Sequence, residues 1–296
     1  MIVSRFAPAP TGYLHLGHVL NAIYVWGVTH ASRGRVLLRI EDHDRQRSRP
    51  EYERAILDDL DWLGFAPDEP PIKAFRQGVC VGRQSDRQVL YQAALERLTA
   101  ADLTYSCSCS RHVLRSTARP GSEVRYPNTC SDKRLDSGVD ISCRVRLAHE
   151  AVSFDDVLRG AQLQCPARQC GDMLVRDSRR NWTYQFAVTV DDLEQGVTLV
   201  VRGEDLLSST GRQIQLGRLL GRARPPRFLH HGLIMKNPDQ KLSKSDGDTN
   251  IRDLRGRGWE PGDVIGRAAW LGGLTAAPRS VTAPETVRLL SHLKIG

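Results

Sequence analysis

Arg5-Phe6-Ala7-Pro8-Ala9-Pro10-Thr11-Gly12, followed by His15-Leu16-Gly17-His18, is the stretch whose reading decides the fold. The apolar residues from Ile2 to Phe6 predict a strand, the prolines hold the next residues extended, and Val19, Ala22, Ile23 and Trp26 recur at helical spacing. A strand, loop and helix in this order direct backbone N–H groups and the positive end of a helix dipole over the loop, an arrangement suited to phosphate. The two histidines add donors there, and Gly17 lets a flat ring approach the backbone. Taken alone, His-x-Gly-His is equally compatible with two polar caps on an ordinary helix.

A second stretch narrows the reading. Lys241-Leu242-Ser243-Lys244-Ser245 follows Leu233-Ile234-Met235 and precedes Asp246-Gly247. In this order, after an amino-terminal strand, the two elements resemble the HIGH and KMSKS elements of class I aminoacyl-tRNA synthetases. Leu16 stands for Ile and Leu242 for Met, both conservative in volume. The resemblance implies an α/β fold with a doubly wound parallel sheet, the Rossmann-type catalytic domain of that class. It also implies that His15, Gly17 and His18 lie over the phosphates and adenosine of ATP, that Lys244 meets charge developing on the triphosphate, and that Lys241 and Ser243 hold the loop. His15, His18, Lys241 and Lys244 are thus the expected catalytic residues, and Mg2+ is expected to accompany ATP without a dedicated protein cage.

The intervening chain agrees with strand and helix alternation. Val36 to Ile40 predict a strand that ends in Glu41-Asp42-His43-Asp44, where carboxylates at a strand's carboxyl end face ligands in open α/β sheets. Asp42 and Asp44 are also placed to hydrogen-bond their own loop. Pro50, then Tyr52, Ile56, Leu60 and Leu63, predict a helix closed by Gly64, and another starts at Asp86. Tyr184 to Asp192 lead to the apolar run Val197 to Val201, where the sheet is expected to resume and end in Arg202-Gly203-Glu204-Asp205. The expected divisions are 1–104 and 181–245 for the two halves of the nucleotide-binding fold, 105–180 for an inserted subdomain, and 246–296 for a short helical tail.

Six of the seven cysteines fall in that insertion: Cys107, Cys109, Cys130, Cys143, Cys165 and Cys170. In a reducing compartment such clustering points to metal rather than to disulfides. Short synthetases similar to glutamyl-tRNA synthetase bind zinc with Cys-x-Cys followed by Tyr-x-x-x-Cys, and here Cys107, Cys109, Tyr126 and Cys130 match. The resemblance therefore implies one structural Zn2+ per chain on three thiolates and a phenolate. A four-cysteine site drawing on Cys165 and Cys170 is the rival arrangement.

Arg5, Glu41, Tyr184 and Arg202 make a set of two guanidiniums, one carboxylate and one phenol, which is what free glutamate requires of a site. Spacing does not show that they converge, and ion pairs of Arg5 and Arg202 with Glu41 or Asp205 would serve structure alone. In glutamyl-type synthetases the matching positions bind the amino acid, which implies that role for Arg5, Ala7, Glu41, Tyr184 and Arg202 with the adjoining Phe6, Pro8 and Ala9. Ala9 departs from the family's usual Ser and removes one possible hydrogen bond, typically worth about 1 kcal/mol.

Composition sets the class of partner. The chain has 296 residues, 40% of them hydrophobic, with 42 Lys+Arg against 34 Asp+Glu and a formal net charge of +8. Most of the cations are Arg, whose forks match phosphate, so RNA is a natural partner. No apolar run approaches the roughly 20 residues of a membrane span, and no secretory leader pattern opens the chain, so a cytoplasmic protein without membrane contact is expected.

After Ser245, Pro261 with Val264, Ala268 and Leu271 predicts one helix, and the capping box Thr282-x-x-Glu285 opens another. No anticodon-binding domain is expected there. The chain thus resembles, over essentially its whole length, the shortened glutamyl-type paralogues, the glutamyl-queuosine tRNA(Asp) synthetases. That implies a monomeric ligase that activates L-glutamate with ATP, without needing tRNA, and transfers it to queuosine in the anticodon of tRNA(Asp). The alternatives are a shortened synthetase with another acceptor, a tRNA 3′ end or a small amine, and a non-catalytic RNA-binding module.

Overall fold

Val3 to Phe6 form the expected strand. The computed structural model describes residues 1–110, 113–114, 123–237, 240–241, 250–293 and 295. In chain order its elements begin β1 (Val3–Phe6), α1 (Leu16–Ala31), β2 (Arg35–Leu38), α2 (Pro50–Leu63), α3 (Ile72–Arg76), α4 (Gln88–Ala100), β3 (Thr104–Cys107) and β4 (Ser142–Val145). They continue with β5 (Val152–Asp156), β6 (Gly160–Gln164), α5 (Pro166–Gln169), β7 (Met173–Arg176), α6 (Tyr184–Glu194), β8 (Leu199–Gly203), α7 (Thr210–Leu219) and β9 (Arg227–His231). The rest are β10 (Met235–Asn237), β11 (Gln240–Lys241), α8 (Ile251–Gly256), α9 (Pro261–Leu271) and α10 (Thr286–Leu289).

Two units divide these elements. The first holds residues 1–86, 197–207 and 226–296. Here β1 pairs with β2 and β8 with β9, both parallel. The Thr198 N–H donates to the Val3 carbonyl at 2.9 Å, which sets the start of β8 beside β1. Within each pair the strands run the same way, as α/β connections require. Helix α1 is buried over most of its length, and its Val19, Ile23 and Trp26 share one apolar core with Phe6, Val201 and Leu229. The carboxyl-terminal capping box forms, since Thr282 N–H donates to Glu285 Oε2 at 2.8 Å, but the helix it opens lasts only from Thr286 to Leu289.

The second unit holds residues 87–196 and 208–225, so it includes α4 and α6 on either side of the cysteine-rich segment. Antiparallel β3, β4 and β7 form a three-stranded sheet, and β5 pairs with β6. The core joins Tyr91, Val145, Trp182 and Phe186. In strand β4 only Cys143 is half-exposed, and β3 and β7 flank the strand on both sides.

Tyr184 to Glu194 form helix α6, whose run Phe186 to Asp192 is buried throughout. A continuously buried apolar run carries no periodicity to separate helix from strand. The β-branched Val188, Thr189 and Val190 favour a strand intrinsically, but burial on every side overrides that preference. Asp191 shows the burial directly: it accepts from Arg87 Nε at 2.7 Å and from the Tyr91 hydroxyl at 3.0 Å.

Candidate active site and metal centre

The histidines at the entry to α1 serve the backbone first. Gly17 N–H donates to His15 Nδ1 at 3.0 Å, and His15 N–H donates to His18 Nδ1 at 3.1 Å, a reciprocal cap. The rings lie 4.0 Å apart between centroids. Two N–H groups expected to face a phosphate are thus already satisfied by imidazole. Because each Nδ1 accepts, the proton of the neutral ring sits on Nε2, so the donor edge at the helix start is presented by Nε2–H groups. A Cβ on Gly17 would fall 2.8 Å from Cε1 of His15, so the ring this glycine admits is that of its own cap.

Arg5, Glu41 and Arg202 all belong to the first unit, at or beyond the ends of neighbouring strands, and all three are buried. Arg5 Nη1 donates to the Val201 carbonyl at 3.4 Å. Glu41 N–H donates to the Pro8 carbonyl at 3.0 Å, which fastens the carboxylate's loop to the proline stretch. Arg202 Nε donates to His230 Nε2 at 3.0 Å, which puts the proton of that buried neutral imidazole on Nδ1. Asp42 accepts from Ser85 N–H at 2.8 Å, and Asp44 accepts from Arg47 Nε at 2.6 Å and Gln46 N–H at 3.2 Å, so both hold the loop as expected. Ala7 and Ala9 are half-buried beside Phe6 and Pro8. Tyr184 belongs to the second unit, as the first residue of α6.

Two residues that sequence reasoning missed stand out. Arg39 is wholly buried, and its Nη2 and Nε lie 3.2 and 3.3 Å from Glu41 Oε1. His230 is fully buried behind Arg202. A charged residue between Leu38 and Ile40 was the available signal for the first. A histidine pair closing the apolar strand Phe228-Leu229 was the signal for the second. His231 next to it stacks on Tyr24 of α1, with centroids 4.7 Å apart and planes 6° apart, and burial lowers its pKa. Lys241 lies on β11, which pairs antiparallel with β10, whereas Leu242, Ser243, Lys244 and Ser245 fall outside the described residues.

The second unit gathers the cysteines. The sulfurs of Cys107, Cys109 and Cys130 lie within 4.8 Å of one another, and those of Cys109 and Cys130 are 3.6 Å apart. Tetrahedral zinc with Zn–S bonds near 2.3 Å requires sulfurs about 3.8 Å apart, so the donor set fits such an ion. Tyr126 joins them: its Oη is 3.4 Å from Cys107 Sγ and accepts from Cys130 N–H at 3.0 Å. The Cys130 thiol, despite burial that opposes ionisation, is drawn down to about 7 by hydrogen bonds from Ser108, Tyr126 and Cys109. Arg144 lies over the Tyr126 ring, 3.5 Å from its centroid, and donates Nε to Cys107 Sγ at 3.2 Å. Three thiolates and a phenolate around a dication would leave an excess of negative charge, which this buried guanidinium would offset. Cys170 directs its thiol to the Pro166 and Gly171 carbonyls at 3.3 and 3.2 Å, and neither it nor Cys165 belongs to the cluster among the described residues.

Backbone conformation shapes the loop that carries Tyr126. Gly171 has φ +68°, and a Cβ there would fall 1.9 Å from the Tyr126 carbonyl, so only glycine lets the two segments touch. Tyr126 N–H donates to the Cys170 carbonyl at 2.9 Å, and Asn128 Oδ1 accepts from Asp172 N–H at 2.8 Å.

Over residues 1–283 the sequence matches the family described as tRNA synthetases class I (E and Q), catalytic domain, and the chain belongs to that family. It is accordingly a ligase that forms an aminoacyl bond. The relatives it is similar to include a glutamyl-Q tRNA(Asp) synthetase of Symbiobacterium thermophilum, 38% identical over 100% of this chain and 94% of that protein. The glutamyl-Q tRNA(Asp) synthetase of Rhodobacter capsulatus is 38% identical over 89% of this chain and 98% of its own. Among solved structures, a glutamate tRNA ligase from Elizabethkingia meningosepticum in complex with its amino acid matches with a TM-score of 0.80 at 27% identity. That match covers 97% of this chain, which spans 64% of the ligase's length. No helix among the described residues is long and apolar enough to cross a membrane.

Proposed function

We propose that this chain activates L-glutamate with ATP, needing no tRNA for that step, and transfers the glutamyl group to queuosine in the anticodon of tRNA(Asp). The observation that carries the reading is the similarity, over the whole chain, to relatives named for that activity, combined with buried Arg5, Glu41 and Arg202 on neighbouring strands.

In this reading the substrate α-carboxylate attacks the α-phosphorus of ATP; the new C–O–P bond forms as the bond to the β-phosphate oxygen breaks and pyrophosphate leaves. The protein's share is positioning and charge stabilisation. His15 and His18 donate from Nε2 to the phosphates, with Gly17 at the adenosine side. Lys244 meets the charge that develops on the triphosphate, and Lys241 holds the loop. Mg2+ bound with ATP would offset the charge of its phosphates. Arg5 and Arg202 receive the carboxylates of glutamate, Glu41 receives its ammonium, and Tyr184 adds a phenol, with Phe6, Ala7, Pro8 and Ala9 forming the wall. Pairing of the side-chain carboxylate with arginine selects against glutamine, whose amide leaves a buried guanidinium partly unpaired. Zn2+ on Cys107, Cys109, Tyr126 and Cys130 is structural.

Glutamate-dependent exchange of labelled pyrophosphate into ATP, without RNA, tests the first half. Exchange with glutamate and not with glutamine or aspartate is expected. Exchange that requires added tRNA, or none at all from folded zinc-loaded protein, overturns it.

A further inference from the structure

The second unit contains a cavity of about 820 Å3 that no part of the proposed reaction uses. It lies between α4 and the β3–β4–β7 sheet, on the face bearing the side chains of Thr104, Ser106 and Cys143, and four guanidiniums line it: Arg134, Arg146, Arg176 and Arg180. Asp102 and Asp132 are the carboxylates that line it, two against four guanidiniums. Arg146 and Arg176 are held by neutral groups. Arg146 Nη2 donates to the Ser131 carbonyl at 2.8 Å while its guanidinium lies 4.8 Å from the Tyr105 ring centroid. Arg176 lies 4.6 Å from the Trp182 ring centroid and donates Nε to the Arg180 carbonyl at 3.1 Å. These contacts fix where the forks point without neutralising them. The crowding is felt at Arg176, where burial and the neighbouring Arg180 outweigh the support that Cys143 and Asp177 give the charge.

Cations gathered in a recess without matching carboxylates are stable when an anion completes them. Planar forks match phosphate oxygens in pairs, and serine and threonine hydroxyls around them supply the donors that hold a sugar-phosphate backbone in register. The recess is far larger than a lone phosphate requires and falls in the range, about 300–1,000 Å3, of pockets for larger organic ligands. We propose that this arginine-lined cavity is a phosphate-binding site that seats the backbone of the RNA substrate on the cysteine-bearing unit. The inference rests on the reading that RNA is the glutamyl acceptor and adds where its backbone is gripped.

Arg134 and Arg180 are exposed, so replacing them leaves the core intact. The experiment measures binding of purified tRNA(Asp) to the full-length chain across a salt series, for the native protein, Arg134→Gln, Arg180→Gln, the double variant and Arg180→Lys. RNA-free pyrophosphate exchange is run on each. The double variant is expected to bind roughly 10–100-fold more weakly, to lose about 1 to 2 from the slope of log affinity against log salt, and to keep native exchange. Arg180→Lys is expected to restore the slope. Native affinity and slope in the double variant overturn the proposal. So does a double variant that loses binding of tripolyphosphate while keeping that of RNA, which assigns the recess to a free polyanion. Absence of exchange in the native protein sinks the activation reading instead, and the binding series still decides the site.

Discussion

The Arg39 guanidinium lies 3.2 Å from the Glu41 carboxylate, with neither side chain more than 7% exposed. A carboxylate buried this far keeps its charge only beside a cation, and Arg39 supplies it from the same strand end. Glu41 is thereby held ionised and oriented whether or not an ammonium group is present. Arg39→Met is expected to raise the KM for glutamate at least tenfold with a smaller change in kcat. It is also expected to cost about 3–5 kcal/mol of stability, because a buried charge loses its partner. Arg39→Lys keeps the charge but not the two-donor geometry, and should fall between. A Met variant with native KM and Tm removes Arg39 from the account.

Lys244 lies outside the described residues, yet the proposed mechanism asks it for a definite share of the barrier. Lys244→Ala is expected to slow pyrophosphate exchange roughly 100-fold, about 2.7 kcal/mol, with native circular dichroism and Tm. Unchanged exchange kinetics would remove the lysine from the activation step.

Metal content follows from the cysteine cluster. One zinc per chain is expected by elemental analysis. Cys109→Ser or Cys130→Ser should reduce it to near zero, and Tyr126→Phe should weaken retention against a chelator roughly 10–100-fold. Gly171→Ala, which replaces no ligand, should also lose the metal, since its Cβ cannot coexist with the Tyr126 carbonyl. Full zinc in the serine variants would mean that the ion sits elsewhere, and Cys165 with Cys170 would be the next place to look.

Much of this was legible in the sequence, and the misses have physical reasons. The entry to α1 was readable because prolines, an apolar strand and a helical period meet within one short stretch. Its hydrogen bonding was not, because nothing in the spelling His-Leu-Gly-His tells whether an imidazole faces a ligand or its own backbone. Here the Nδ1 atoms of His15 and His18 serve the backbone. The helix at Tyr184 to Glu194 was not legible, because burial on every side erases the pattern that distinguishes helix from strand. Cys107, Cys109 and Cys130 were named by the resemblance to short glutamyl-type synthetases. Arg144, which lies beside them, belongs to a strand distant in sequence and carries no local mark.

Asp59 gives the protein a pH dependence separate from catalysis. It is 4% exposed with Oδ2 unpartnered, and burial raises its pKa from 3.8 to about 7, opposed by Arg255 and Arg252 and reinforced by Asp58. The folded chain therefore binds a proton that the unfolded chain has released between pH 4 and 7, so this group's contribution to stability falls as pH rises through that window. With each pKa unit worth about 1.4 kcal/mol, the total is on the order of 4 kcal/mol. Asp59→Asn should raise stability at pH 8 and flatten the slope. Chemical denaturation at pH 5 and pH 8 measures both, and an Asn variant less stable than native at pH 8 contradicts the assignment.

The central claim is the acceptor. The measurement that reaches it is transfer of labelled glutamate to tRNA(Asp) with and without queuosine, followed by nuclease cleavage to locate the label. The account predicts label only on queuosine-containing tRNA(Asp), and within the anticodon fragment. Label at the 3′ end, or equal labelling of tRNA lacking queuosine, would contradict it and make the chain a synthetase with a different acceptor.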